Sequence, residues 1–504
     1  MRYTIGYDIG SSSVKAALLD TDTGKCVATA ISPAQEMPMH APVAGWAEQD
    51  PEMWWQEVQH ATKKLQQIHP FEGSAVAGIG IAYQMHGLVC VDKDQQVLRP
   101  AIIWCDSRAV EIGNTAFEKL GPNWCLQYLL NSPGNFTASK LRWVQEHEPA
   151  IYERIDKVML PGDFIAMRLT GDAATTISGL SEGIFWDFSM HQVSPVLLKH
   201  YGISEQLLSN VVPTFGLQGK VTAQAAALLG LAAGTPVTYR AGDQPNNAFS
   251  LNVLQPGEAA TTAGTSGVVY AVHDHIAFDA QSRVNTFVHV NDTAAAHRNG
   301  VLMCLNGTGI LNSWMRNLVG KPSYEEMNAL AAVAPVGSRG LKIYPFGNGA
   351  ERILANKEIG AEFKGLNFNI HGREHMLRAA QEGIVFALKY GMDIMQDMGL
   401  QIKRVRAGHA NMFLSPLFRE VFANTADVVI ELYNTDGAQG AECCHCSIVG
   451  KDTRHRCTAP LYTGKWKGTF RVIFSGNGGR GIMLLTVVFW LTRRSMRITK
   501  HRFG

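Results

Sequence analysis

Three short segments combine residue types suited to holding phosphate and activating a hydroxyl group. The first is Asp8-Ile9-Gly10-Ser11-Ser12-Ser13-Val14-Lys15. In one turn it offers a carboxylate able to organise Mg2+, a glycine that leaves backbone N–H groups unobstructed, and a run of hydroxyls. Lys15 falls on the following strand, where alternation turns it either to the turn's ligand or to solvent. This is not a Walker A loop, which ends in Gly-Lys-Ser or Gly-Lys-Thr before a helix, and an ordinary surface hairpin is the alternative. The second segment, Thr261-Thr262-Ala263-Gly264-Thr265-Ser266-Gly267, repeats that chemistry around Gly264, Thr265 and Ser266. Between the two lies Ala241-Gly242-Asp243-Gln244-Pro245-Asn246-Asn247. Its Asp243 is flanked by glycine and amides and suits a base that accepts a proton from a hydroxyl attacking a γ-phosphoryl group. An ordinary carboxylate pKa makes it a weak base, yet a largely dissociative transfer asks for little base strength before late proton loss. An aspartate that only caps a turn is the alternative.

Gln84, Met85, His86, Trp104, Asp106 and Gln244 supply bidentate polar groups beside flat apolar surface, the combination a polyol needs; His86 reads equally as a buried, satisfied histidine. Asn306-Gly307-Thr308-Gly309 and Arg406-Ala407-Gly408-His409-Ala410-Asn411 are small-residue turns in which Gly309, Gly408 and Asn411 leave room for a planar base and its ribose. Cys443, Cys444, His445 and Cys446, with His455 and Cys457 beyond, match no closed zinc pattern.

These residues need elements to carry them. The apolar runs at 3–9 and 14–20 flank GSSS and read as a hairpin, with a third strand expected at 25–30. Asp50 as cap and Pro51 at the first position open a helix over 51–67. VAGIGIA at 76–82 is a buried strand that ends at Tyr83-Gln84-Met85-His86-Gly87, and the ends of central strands are where ligand groups gather. Residues 257–272 repeat the strand, turn, strand grammar of the amino terminus, which implies two related α/β lobes facing one cleft, with a boundary near 247–257. Residues 372–400 have the period of a long amphipathic helix or helix pair, bent at Gly383 or Gly391.

A chain of 504 residues calls for two large domains. Hydrophobic content of 46% with 17% charged residues is that of an ordinary globular protein. Nine cysteines in no regular framework fit a reducing compartment, and the start lacks a signal-peptide pattern, so a cytoplasmic enzyme is expected. The net charge of +2 is uneven: twelve Lys or Arg against Glu442 and Asp452 follow Gly440, leaving 33 basic and 41 acidic residues before it. The acidic body argues against nucleic acid as partner. Residues 442–504 form an atypical basic tail whose apolar run of eleven residues is too short to span a bilayer. A basic appendage is one reading; a shifted reading frame accounts better for the abrupt change, and intact mass with the coding DNA decides between them.

Taken together these segments resemble the FGGY carbohydrate kinases over about residues 1–441. The resemblance rests on YDIGSSSVKAALLD, GWAEQDPEMWW at 45–55, YQMHGLV at 83–89, IIWCDSR at 102–108 and NFTASKLRWVQEHEP at 135–149. The Asp243 segment, TTAGTSG and KGLNFNIHGREHMLRAAQEGI at 364–384 extend it. It implies an α/β fold of two actin/hexokinase-like (ribonuclease H-like) domains flanking a catalytic cleft: 1–250 for sugar and Mg/phosphate, 251–441 for nucleotide. It implies MgATP as cofactor and an open-chain sugar as substrate, with D-xylulose expected and ribulose, glycerol, gluconate or a non-catalytic sensor as alternatives. By the same resemblance Asp8 organises Mg2+, Gly10, Ser11 and Ser12 face the terminal phosphates with Lys15 nearby, and Gly264, Thr265 and Ser266 meet phosphate from the other lobe. Met85 and His86 touch the sugar, Asp243 activates its C5 hydroxyl, and Gly408 lies against the nucleotide. Gln244 departs from the more usual Asn. A small-molecule sugar is the expected partner, with no membrane, and a homodimer stays open.

Overall fold

The computed structural model describes residues 2–355, 357, 359–433 and the backbone of 489–492 and 495–498. The expected tail at 442–504, with its cysteine and histidine cluster, otherwise lies outside the described residues. Two α/β units flank a cleft, and each is built on a six-stranded sheet.

In the first unit the strands are β1 (Tyr3–Ile9), β2 (Val14–Asp20), β3 (Cys26–Ser32), β4 (Val76–Tyr83), β5 (Phe215–Lys220) and β6 (Pro236–Gly242), in the spatial order β5-β6-β4-β1-β2-β3. β1, β2 and β3 form an antiparallel meander, while β4 and β6 run parallel to β1. β1 is buried on both faces except at Asp8, as its unbroken apolar run demands. The helix Pro51–Ile68 starts where the cap signal put it: Asp50 accepts the Glu52 N–H at 2.9 Å, and Trp54, Val58, Ala61 and Leu65 form one buried stripe.

The second unit repeats the plan with β7 (Glu258–Ala263), β8 (Ser266–His273), β9 (Asn285–Val288), β10 (Asn299–Asn306), β11 (Arg404–Gly408) and β12 (Val429–Tyr433), ordered β9-β10-β8-β7-β11-β12. β7, β8 and β10 make the meander, and β11 and β12 run parallel to β7. Its long helix is continuous over Arg373–Asp397, neither paired nor broken. The glycines expected to bend it are close-approach points instead: a Cβ on Gly383 would fall 2.0 Å from the Ile343 carbonyl oxygen, and one on Gly391 would meet the Met303 side chain at 2.3 Å.

On the closed side of the cleft the units share one core, in which Leu88, Phe136 and Phe185 pack with Tyr270, Phe287 and Leu302. The Asn131 side chain imitates a strand there, donating to the Thr286 carbonyl at 2.7 Å and accepting the Thr286 N–H at 2.9 Å. Among the described residues no helix is long and apolar enough to cross a membrane.

Candidate active site

β6, β4 and β1 are parallel neighbours whose carboxyl ends stop level, Ile9 opposite Tyr83 and Tyr83 opposite Gly242. Each delivers a polar residue to one edge of the sheet: Asp8 from β1, the Gln84-Met85-His86 turn from β4, and Asp243 just past β6, where a helix begins. Asp8 and Asp243 are thus two strand spacings, roughly 10 Å, apart at the backbone. Asp243 is half-buried, and its carboxyl is pushed up to about 7, first by withdrawal from water and then by the charge of Asp8. Gln244 donates to its Oδ2 at 3.3 Å. From the facing unit, Cys304 on β10 lies close enough that burial, Glu351 and Asp243 together raise its thiol pKa.

The turn after β1 is braced from below. Gln49 donates to the Ser11 carbonyl at 2.7 Å and accepts from Trp54 Nε1 at 3.1 Å and Gln84 Nε2 at 3.4 Å. Lys15 pairs with Asp8 across the hairpin register, its Nζ 3.8 Å from Oδ2, so the strand alternation turns it toward the carboxylate. Ser11 and Ser12 remain at the turn, and Trp104, half-exposed, brings its Nε1 within 3.5 Å of Ser11 Oγ.

In the second unit the β7–β8 turn is locked to a helix start. Gly309 N–H donates to the Gly264 carbonyl at 2.7 Å, and Thr308 Oγ1 donates to the Gly264 and Thr265 carbonyls at 2.8 and 3.1 Å. Ser266 Oγ reaches Asn306 Oδ1 at 3.1 Å. Asn411, at φ 51°, follows β11 past Gly408 and brings its amide beside Gly264, so Gly264, Gly309 and Asn411 converge although 45 residues separate the first two and 102 the last two.

His86 is the most constrained residue of the site. It adopts φ 61°, rare for a residue with a Cβ, and is held from three sides. Glu182, on the helix Ile177–Glu182, accepts the His86 N–H at 2.8 Å through Oε1, while its own carbonyl accepts the Nδ1 proton at 3.1 Å. Lys140 donates to the His86 carbonyl at 2.8 Å and to that of Ile103 at 3.0 Å. Phe136 and Phe287 enclose the ring, with centroids 4.8 and 5.4 Å away. Burial first, then Lys140, lower the imidazole pKa to about 3, so the ring is neutral and Nε2 is left to accept. Burial likewise lowers Lys140 to about 7, against the pull of Asp106, and raises Glu182 well above the carboxylate range.

Of the polar residues assigned to the sugar side, His86, Gln244 and Trp104 remain partly exposed. Met85 is buried with its side chain against Gly242, and Gln84 is turned inward to Gln49. Asp106 has a fully buried carboxylate committed to Arg108 at 2.7 Å and the Ala47 N–H at 2.6 Å, while Arg108 lies over the Trp46 ring at 3.8 Å. Its work is to fix the loop that presents Trp104. Glu182, Lys140 and Gln49 escaped the sequence reading. Their partners at the site, His86 for Glu182 and Lys140 and Ser11 and Gln84 for Gln49, lie 35 to 96 residues away, so nothing local signalled them.

Comparison with known proteins agrees over the same span. The sequence model for the N-terminal domain of the FGGY family of carbohydrate kinases matches residues 3–250, and that for the C-terminal domain matches 259–441. The chain is 31% identical to the xylulose kinase of Escherichia coli over 86% of its own length and 87% of that protein's, and 29% identical to that of Bacillus subtilis over 88% and 87%. Among solved structures, a "xyloylose kinase" from Brucella ovis superposes with a TM-score of 0.82 at 27% identity, covering 92% of this chain and 94% of that one. A xylulose kinase from Rhodospirillum rubrum does so with 0.82 at 26%, covering 92% and 93%.

Proposed function

The chain belongs to the FGGY family of carbohydrate kinases, and from that premise we propose that it transfers the γ-phosphoryl group of ATP to the C5 hydroxyl of D-xylulose, with Asp243 as general base. The observation that carries this reading is Asp243 itself: a half-buried carboxylate with a pKa near 7, level with Asp8 and His86 at one sheet edge. A hydroxyl within hydrogen-bond reach of Asp243 gives up its proton to the carboxylate as the oxygen bonds to phosphorus and the bond to ADP breaks. Ser11, Ser12 and the Gly10 backbone on one side, and Gly264, Thr265 and Ser266 on the other, suit the phosphate chain; Gly309, Gly408 and Asn411 suit the nucleoside end. His86 Nε2 accepts from a sugar hydroxyl, and Gln244 holds the base.

Asp8, whose charge raises the proton affinity of Asp243, makes with it a pair of carboxylates that fits a divalent cation, and Mg2+ characteristically takes one or two carboxylates plus phosphate oxygens and water. Asp8 would hold it, with Lys15 as neighbouring charge; when bound, the ion neutralises charge on the phosphates. Residues 1–250 serve as the sugar and phosphate domain and 251–441 as the nucleotide domain. The repeated order of three antiparallel and two parallel strands supports assigning both to the actin/hexokinase, ribonuclease H-like class.

The test is ADP release coupled to a reporter over D-xylulose, ribulose, glycerol, gluconate and aldoses. D-Xylulose is expected to lead in kcat/KM by about tenfold or more, a margin that a site with hydrogen-bonding demands readily supplies. An equal or better rate with any other acceptor overturns the substrate; no turnover with any of them, alongside tight sugar binding, favours a sensor.

A further inference from the structure

One buried side chain joins the turn proposed for phosphate to the turn proposed for sugar. Gln49, 2% exposed, stands just before the helix Pro51–Ile68 and uses every hydrogen-bonding position of its amide. Its Nε2 donates to the Ser11 carbonyl at 2.7 Å and to the Pro38 carbonyl at 3.3 Å. Its Oε1 accepts from Trp54 Nε1 at 3.1 Å and from Gln84 Nε2 at 3.4 Å. These partners allow the amide one orientation, because reversing it sets its oxygen against two carbonyls and its nitrogen against the indole N–H. Gln84 is buried as well, and its backbone N–H donates to the Ile9 carbonyl at 2.8 Å, which fixes the start of the Gln84-Met85-His86 turn to the end of β1.

The bond to Ser11 also orients the other side of the turn. A trans peptide points its carbonyl and its N–H in opposite directions. Drawing the Ser11 carbonyl inward to Gln49 therefore turns the Ser12 N–H outward, where Ser12 is exposed and no described residue accepts from that N–H. An outward backbone N–H two residues beyond Gly10 is a donor of the kind that holds a phosphate oxygen. The bond from Gln84 ties the same amide to the turn that carries His86. A buried donor or acceptor that loses its partner is costly, so neither turn shifts without breaking a bond in the interior. We propose that Gln49 is a positioning residue that holds the Ser12 N–H toward the terminal phosphate and keeps that phosphate in register with the sugar turn. This rests on the sugar-kinase reading above and names the residue through which the two substrates are coupled within the first unit.

Calorimetry measures binding of ADP and of the non-hydrolysable imido analogue of ATP, each with and without saturating D-xylulose, in the wild type and in Gln49→Met. Methionine keeps the length of the side chain and removes its hydrogen bonds. In the wild type the sugar should strengthen the analogue about fivefold or more beyond its effect on ADP, because the γ-phosphate is the group that the Ser12 turn holds. In Gln49→Met that difference should shrink to within about twofold, with ADP and sugar affinities measured alone kept within about threefold. Gln84→Leu cuts the tie at its other end and should lose the same difference, and the double variant should lose no more than either single one. A Gln49 that only stabilises the fold would lower the melting temperature, or weaken all ligands alike, and leave the difference standing. That outcome, additive losses in the double variant, or no difference in the wild type overturns the assignment. If Gln49→Met does not fold, Gln84→Leu decides, and a difference retained there overturns it equally. A wild type that binds no sugar or no nucleotide defeats the kinase reading and this proposal together; both ligands bound, with the difference intact in the variants, defeats the proposal alone.

Discussion

Asp243, the proposed base, shows how a common residue gains proton affinity. An exposed aspartate is ionised down to about pH 4, too weakly basic to hold a proton. Here withdrawal from water and the charge of Asp8 both favour the neutral form and bring its pKa up to about 7. The sign of the consequence is fixed. A carboxylate whose pKa is raised is protonated, and useless as a base, below that value, so activity is lost as pH falls through about 7 rather than through 4. We expect kcat/KM for the sugar to drop about tenfold per pH unit below about 7 and to level above it. Asp243→Asn should abolish that limb and cost about 10²- to 10⁴-fold in turnover, with the ATP KM changed only a few-fold. Near-normal turnover, or an acid limb centred near pH 4, would remove Asp243 from the role. Asp243 could be singled out in sequence because its neighbours Gly242, Gln244 and Asn246 have a recognisable chemistry. Its shifted pKa was not, because Asp8 is 235 residues away. Glu182 and Lys140 stayed hidden for the same reason: what they do for His86 depends on contacts across 96 and 54 residues.

At the level of elements, the turns proposed to face phosphate are set by how closely two backbones approach. Gly309 begins the helix Gly309–Leu318 directly against the β7–β8 turn, and a Cβ there would stand 2.4 Å from the Gly264 carbonyl oxygen it now hydrogen-bonds. Gly309→Ala must push the turn aside. The expected result is an ATP KM raised about tenfold with sugar binding retained, at a stability cost of about 1–3 kcal/mol, the usual penalty for overpacking. Steady-state kinetics and a denaturant melt check both halves; an unchanged ATP KM would free the turn from nucleotide binding. The hairpins themselves were legible, since apolar runs around small-residue turns carry a period-2 signal in a few residues. The third strand was expected at 25–30 and runs over Cys26–Ser32, so the expectation began one residue and ended two residues too early. The long helix was legible in period but not in shape. Gly383 and Gly391 are flexible by type, and only the Ile343 and Met303 neighbours reveal that they are small for packing instead.

Across the described residues, two sheets of one plan are joined by a continuous apolar core, about which the proposed closure over substrates would turn. The seam is held by Asn131, which is fully buried and satisfies both backbone groups of Thr286. Replacing it by alanine strands a buried N–H and a buried carbonyl in a dry interface, and each carries a desolvation penalty of about 1–3 kcal/mol. Because Phe136 and Phe287 pack at the same seam and also enclose His86, a loosened junction reaches the proposed sugar site without touching the proposed phosphate turns. Asn131→Ala is therefore expected to lower the melting temperature by roughly 5 °C and to raise the sugar KM more than the ATP KM. Calorimetry and steady-state kinetics on the same preparation test this. If stability falls while the two KM values rise equally, the seam governs closure as a whole; if the sugar KM alone rises, the seam acts through His86, which makes the junction of the units part of the sugar site.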